Sequence, residues 1–263
     1  MSLPLIIAHR GDSAHAPENT LAAFRAAMDA KADGVEFDVQ ISQDGVPVVF
    51  HDYDLKRIAS DDRRVFDMTA AELTSVDVGA WFGNRTGNPA FAGERVPLLT
   101  SALDLLGAFG GRVYIELKAG EGDANALVAA VCRVLKTSPL LPRVIVKTFR
   151  MDLIPEVKQL LPDVKTAALF APTIMDYLRR KKQIIALART FGADELSLHR
   201  SLATKTLCSL AAEAGLPVTV WTADNPKWID RAKSRGVHAL ITNDPAKMLA
   251  VTRLKTFYRA NDL

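Results

Sequence analysis

Glu36 and Asp38 stand two residues apart in the stretch Gly34-Val35-Glu36-Phe37-Asp38-Val39. Apolar Val35, Phe37 and Val39 alternate with them at the period of a β-strand, so both carboxylates share one face. Two like charges this close repel each other and lose hydration in apolar surroundings. They need a cation, a buried proton or open water. Alone, such a pair reads as a solvated strand face. Here it has company. His9 and Arg10 follow the apolar run Leu5–Ala8, His51 follows Pro47–Phe50, and Glu116 with Lys118 ends Arg112–Leu117. Three oxygen donors without a thiolate suit a hard divalent cation, Mg²⁺ or Ca²⁺, better than zinc, which would want a histidine ligand. Arg10 and Lys118 suit phosphate oxygens. Two histidines provide a general base and a general acid. The set reads as metal-assisted cleavage of a phosphodiester.

Residues so far apart in the chain meet only if their strands end in one place. The acidic stretch is followed by a turn at Asp44-Gly45 and a returning segment, Pro47–Phe50. From Leu98 onward apolar runs alternate with helical patterns. The strands are Arg112–Leu117, Arg143–Thr148, Val164–Phe170, Glu195–Leu198, Pro217–Trp221 and Ala239–Thr242, and the longest helix is Thr173–Phe191. With the two strands before them they make eight strand–helix units, which predicts an α/β fold, the TIM (β/α)8 barrel. An open doubly wound sheet is the runner-up, but no G-x-G-x-x-G follows the first strand. Residues 1–263 are expected to form one domain. Within it, residues 53–97 break the beat and read as an insertion covering the barrel mouth, with a small helix at Ala70–Val76. Asn19 is expected to cap the helix Leu21–Ala30.

The chain has 263 residues, 49% of them hydrophobic and 24% charged, which suits one large domain with a substantial core. A net charge of +3 without a long basic run gives no case for nucleic acid. Cys132 and Cys208 fall in helical segments and read as buried free thiols of a reducing compartment. The first residues lack the charged and apolar regions of a signal peptide, and no run of 18 apolar residues exists. A cytoplasmic protein with no membrane anchor is expected.

His9-Arg10-Gly11, Pro17-Glu18-Asn19-Thr20, Val35-Glu36-Phe37-Asp38-Val39, His51-Asp52 and Ile115-Glu116-Leu117-Lys118 resemble, in order and spacing, the glycerophosphodiester phosphodiesterase family. The likeness continues through Val220-Trp221-Thr222 and Ile241-Thr242-Asn243-Asp244-Pro245, and it includes an insertion after His51-Asp52. It implies hydrolysis of glycerophosphodiesters to glycerol 3-phosphate and an alcohol, either by water directly or through a cyclic phosphate formed by the glycerol 2-hydroxyl. It implies Glu36, Asp38 and Glu116 as metal ligands, His9 and His51 as the acid–base pair, and Arg10 and Lys118 as phosphate contacts. Glu18 and Asn19 would support them from behind, and Trp221 would pack at the substrate entrance.

Other residues carry weaker expectations. His199 follows the sixth strand and is a candidate substrate contact. Lys147, in a Lys147-Thr148-Phe149 segment that departs from the family's serine-containing pattern, either adds charge near the substrate's far end or is simply exposed. His15 reads as surface and His238 as structural, while Arg179-Arg180-Lys181-Lys182 reads as a solvated helix face. Two alternatives stand beside the small-substrate enzyme. One is a lysophospholipase D, which needs an apolar groove that Trp81, Phe82 and Phe91 either line or forgo by packing the insertion onto the barrel; the other is a silent barrel that only binds phosphodiesters.

Overall fold

The apolar runs become eight parallel strands that close on themselves. The computed structural model describes residues 3–87, 89–120, 123–172 and 181–261. In chain order the first strands are β1 (Leu5–His9), β2 (Gly34–Ile41) and β3 (Pro47–Val49), followed by a small ribbon of β4 (Asp54–Leu55) and β5 (Asp61–Arg64). Then come β6 (Arg112–Leu117), β7 (Val144–Thr148), β8 (Lys165–Phe170), β9 (Glu195–His199), β10 (Val218–Trp221) and β11 (Ala239–Thr242). Sheet order is β1-β11-β10-β9-β8-β7-β6-β2-β3, and pairing of β1 with β2 closes the ring of eight parallel strands. β3 lies outside it, antiparallel to β2.

Strands covered on both faces can be apolar throughout, and Val144-Ile145-Val146 is an instance. One face meets the helical layer. The helix Ala124–Lys136 buries Leu127, Val128, Val131 and Leu135 along one stripe, and its N-terminus is capped by the Asp123 carboxylate, which accepts from the Asn125 and Ala126 backbones. The other face fills the barrel with Ile7, Tyr114, Ile145, Ala167, Ala239 and Ile241. Two residues further along β1, β6 and β7, the same inward face carries His9, Glu116 and Lys147. An apolar plug thus lies beneath a charged mouth.

Some local expectations change. Thr20, not Asn19, caps the first helix: its side chain accepts from the Ala23 backbone at 3.2 Å, and the helix runs Leu21–Asp29. The small helix in the insertion stops at Leu73. The insertion gathers an apolar cluster of its own, with Leu55, Ile58, Val65, Met68, Leu73, Val78 and Val96, and shares it with Val48 and Phe50 of the hairpin. Of the expected helix Thr173–Phe191, Lys181–Thr190 is seen; residues 173–180, and with them Arg179 and Arg180 of the basic run, lie outside the described residues. Cys132 and Cys208 are buried free thiols. Among the described residues no helix is long and apolar enough to cross a membrane.

Candidate active site

β2 supplies Glu36 and Asp38, and β6 supplies Glu116 in register with Asp38. All three are buried, and they offer oxygen atoms within 4.8 Å of one another. Three cationic side chains meet them. Lys118 Nζ donates to Glu116 Oε1 at 2.9 Å and lies 3.6 Å from Asp38 Oδ1. Arg10 Nε lies 3.2 Å from Asp38 Oδ2. Lys147 Nζ lies 2.6 Å from Glu36 Oε1 and 3.4 Å from Glu116 Oε2. Burial raises the Asp38 carboxyl, but the charges of Arg10 and Lys118 outweigh it and hold Asp38 well below the usual range. Burial likewise pushes Glu36 up, and the charge of Lys147 brings it down. Both are therefore ionised. Glu36 Oε1 is buried and takes no aligned hydrogen bond among the described residues, so an anionic oxygen there is answered by the charge of Lys147. A hard oxygen donor set with such an atom fits a divalent cation such as Mg²⁺ or Ca²⁺.

The turn after β1 aims the first basic group. Arg10 has φ +57° and Gly11 φ +79°, both left-handed. A Cβ on Gly11 would lie 2.6 Å from Ala23 atoms, so only glycine lets the turn pass the first helix. Arg10 is thereby folded back over the strand ends, its backbone N–H reaching Glu36 Oε2 at 3.2 Å and Nη1 reaching Glu18 Oε1 at 2.6 Å. Asn19, also left-handed, donates from Nδ2 to Asp38 Oδ2 at 2.9 Å and accepts from the Asp38 backbone. Glu18 and Asn19 thus brace Arg10 and Asp38 respectively.

Both histidines at the mouth, His9 and His51, are gripped through Nδ1. For His9 the partner is Asn243 Oδ1 at 2.6 Å. The Asn243 amide is itself fixed because its Nδ2 donates to Asp224 Oδ2 at 2.9 Å. A carbonyl oxygen can only accept, so Nδ1 carries the proton and Nε2, 3.9 Å from Glu36 Oε2, is the basic nitrogen. Burial lowers the His9 pKa despite the pull of Glu36, keeping the ring neutral near pH 7. His51 returns to the mouth because β3 folds back on β2, with the Phe50 backbone N–H donating to Asp38 O at 3.1 Å. Gln40 secures that return by donating to the Phe50 and Asp52 carbonyls. His51 Nδ1 meets Asp52 Oδ1 at 2.6 Å, and Arg57 from the insertion joins Asp52 to Glu18.

The remaining candidates separate. Trp221 and His199 are register partners on β10 and β9, across the ring from β2 and β6, with ring centroids 5.3 Å apart; Phe149 lies 5.9 Å from Trp221. Lys147 is not the exposed residue allowed by the sequence, since only 2% of it is accessible. His15 is exposed and bonded to Asp12, and His238 precedes β11 at the opposite end of the barrel. In the insertion Phe82 is buried and meets Trp81 and Phe91 edge-on, and the Trp81 indole N–H donates to Val78 O. Asn243 and Asp52 fall within motifs recognised in the sequence without being given a task. Arg57 and Asp224 carry no local signal at all.

The model of the glycerophosphoryl diester phosphodiesterase family matches residues 9–247. A glycerophosphodiester phosphodiesterase of Caldanaerobacter subterraneus is 32% identical over 249 residues, covering 95% of this chain and 98% of that one. Among solved structures, an Oleispira antarctica phosphodiesterase in complex with the product sn-glycerol-3-phosphate is 28% identical with a TM-score of 0.83, covering 95% of this chain and 97% of that one. A glycerophosphodiester phosphodiesterase from Agrobacterium tumefaciens is 25% identical with a TM-score of 0.75, covering 94% and 99%.

Proposed function

The chain belongs to the glycerophosphoryl diester phosphodiesterase family, and on that premise we propose a specific division of labour in its site. The substrate is a small glycerophosphodiester, such as glycerophosphocholine or glycerophosphoethanolamine, cleaved to glycerol 3-phosphate and the free alcohol. Glu36, Asp38 and Glu116 hold a divalent ion, Mg²⁺ or Ca²⁺. When bound, that ion supplies positive charge to phosphoryl oxygens whose negative charge grows in the transition state. Arg10 and Lys118 add donors from the same side and orient the phosphate.

His9 is the general base. Its proton sits on Nδ1 against Asn243, which leaves Nε2 to take the proton of the attacking hydroxyl. His51 is the general acid and protonates the leaving alcohol; Asp52 holds its ring and offers a negative charge to the imidazolium. Trp221, His199 and Phe149 form the facing wall. The buried Trp221 Nε1–H has no partner among the described residues, which suits a substrate contact. The insertion reaches the site through Arg57, which joins Asp52 to Glu18, and its packed aromatic rings favour small substrates over lysolipids.

One observation carries this reading: three buried carboxylates within ligand distance of one another, accompanied by two imidazoles that are each oriented through Nδ1. Its test is release of glycerol 3-phosphate from glycerophosphocholine, glycerophosphoethanolamine and lysophosphatidylcholine, with and without a chelator. The expected result is turnover of the first two, lost on chelation. Action on the lysolipid alone would replace the small-substrate reading, and no product from any diester would leave a binding barrel.

A further inference from the structure

Lys147 is the charged residue at the mouth for which the acid–base and phosphate-binding scheme has no use. It is also the most deeply buried of the three cations there. Its strand position explains why. Ile145 and Lys147 share the inward face of β7, Ile145 belongs to the apolar plug, and Lys147 is in register with Glu116 on β6. The ammonium therefore emerges between that plug and the carboxylates, 2.6 Å from Glu36 and 3.4 Å from Glu116.

We infer that Lys147 is a built-in counter-ion of the metal cage, neutralising Glu36 and Glu116 in the ion-free protein and competing with the divalent ion for them. The inference rests on the reading of the triad as a metal site. Three buried carboxylates without cations would repel strongly enough to unfold the mouth or take up protons. Lys147, Lys118 and Arg10 match them charge for charge. A divalent ion arriving at this site meets a balanced set rather than an uncompensated triple charge. Its binding must work against an ammonium already beside two of its three ligands. Two consequences follow. The fold does not depend on metal, unlike small domains whose binding energy is their folding energy. Metal affinity is held down, and Lys147 is the residue that sets it.

The test compares chelator-stripped wild type, Lys147→Met and Lys147→Arg by calorimetric titration with MgCl2 and CaCl2, alongside thermal unfolding in EDTA. Lys147→Met is expected to bind metal about 10–100-fold more tightly, the range over which groups around a ligand set act. It should also melt below wild type in EDTA and recover when metal is added. Lys147→Arg, which keeps the charge, should bind like wild type. Equal or weaker binding by Lys147→Met overturns the counter-ion role while leaving the metal site standing. Absence of binding by all three proteins overturns the metal site itself, and this inference with it. If Lys147→Met fails to fold even with metal, wild type alone decides. A melting point that falls by no more than about 4 °C on chelation, near 1 kcal/mol for a domain of this size, supports the inference, and a larger fall overturns it.

Discussion

At the mouth of the barrel, Glu36, Asp38 and Glu116 lie among Arg10, Lys118 and Lys147. At the other end of the strands, Glu195 is equally buried but faces hydroxyls: Tyr114 Oη lies 3.3 Å from each of its oxygens, and Thr219 Oγ1 donates to it. The same side chain therefore titrates in opposite directions within one barrel. Burial pushes Glu195 up to about 7, where hydroxyl partners and the more distant Arg112 and Lys147 only partly offset it. Burial acts upward on Glu36 and Asp38 too, but the adjoining cations outweigh it, and both stay ionised. Burial of a carboxylate does not by itself mark a working group. What distinguishes the mouth is charge arranged to keep the acids anionic in a dry place, which a cation-binding, phosphate-handling site requires.

The comparison is broken most forcefully at the histidines. His9→Ala and His51→Ala should each lower kcat on glycerophosphocholine by about 10²–10⁴, with unfolding midpoints close to wild type. A loss of folding in both would place these residues with the structural end of the barrel instead. Asn243→Leu removes the acceptor that fixes the His9 tautomer and should lower kcat by about 10–100-fold, less than deletion of His9 itself.

At the base the readout is stability. A carboxyl raised from its ordinary value of 4.5 to about 7 on folding binds more protons in the folded than in the unfolded chain across that window, so its contribution falls as pH rises from 4.5 through 7. Glu195→Gln should therefore gain on wild type between pH 5 and pH 8, by up to about 3 kcal/mol in urea unfolding. Glu36 and Asp38 run the other way: their lowered values supply stability that is present above the unfolded range and lost as pH falls below it. A wild-type profile without an acid limb would contradict the ionised mouth. The smallest effect belongs to Arg57→Ala. Its pairs with Asp52 and Glu18 are partly exposed, so unfolding free energy should drop by less than about 1 kcal/mol.

Much of the mouth can be read in the chain because strands alternate and barrels collect strand ends. Glu36 and Asp38 declare themselves by lying two apart among apolar residues, and His9, Glu116 and Lys118 by following apolar runs. Lys147 obeys the same rule, but its sequence leaves open a substrate contact or an exposed side chain, because β7 is apolar on both faces and nothing local tells which face is inward. Asn19 looks like a cap since it sits just before a helix. Thr20 takes that job, and the left-handed backbone at Asn19 frees its amide for Asp38. Arg57 and Asp224 act across 39 and 19 positions of sequence, and their partners exist only once the barrel has closed. The insertion resists reading for another reason: pieces such as Lys56–Ala59 and Ala70–Leu73 are single turns, too short to leave a period.

The central claim is that the carboxylates of β2 and β6 form one cation-binding centre serving hydrolysis. Its most direct test is activity of chelator-stripped protein as Mg²⁺ or Ca²⁺ is restored, compared between wild type and Glu116→Gln. Saturable recovery in wild type, with half-activation in the variant displaced to about tenfold or higher metal concentration, is the predicted result. Superimposable curves, or full turnover in the presence of chelator, would contradict it.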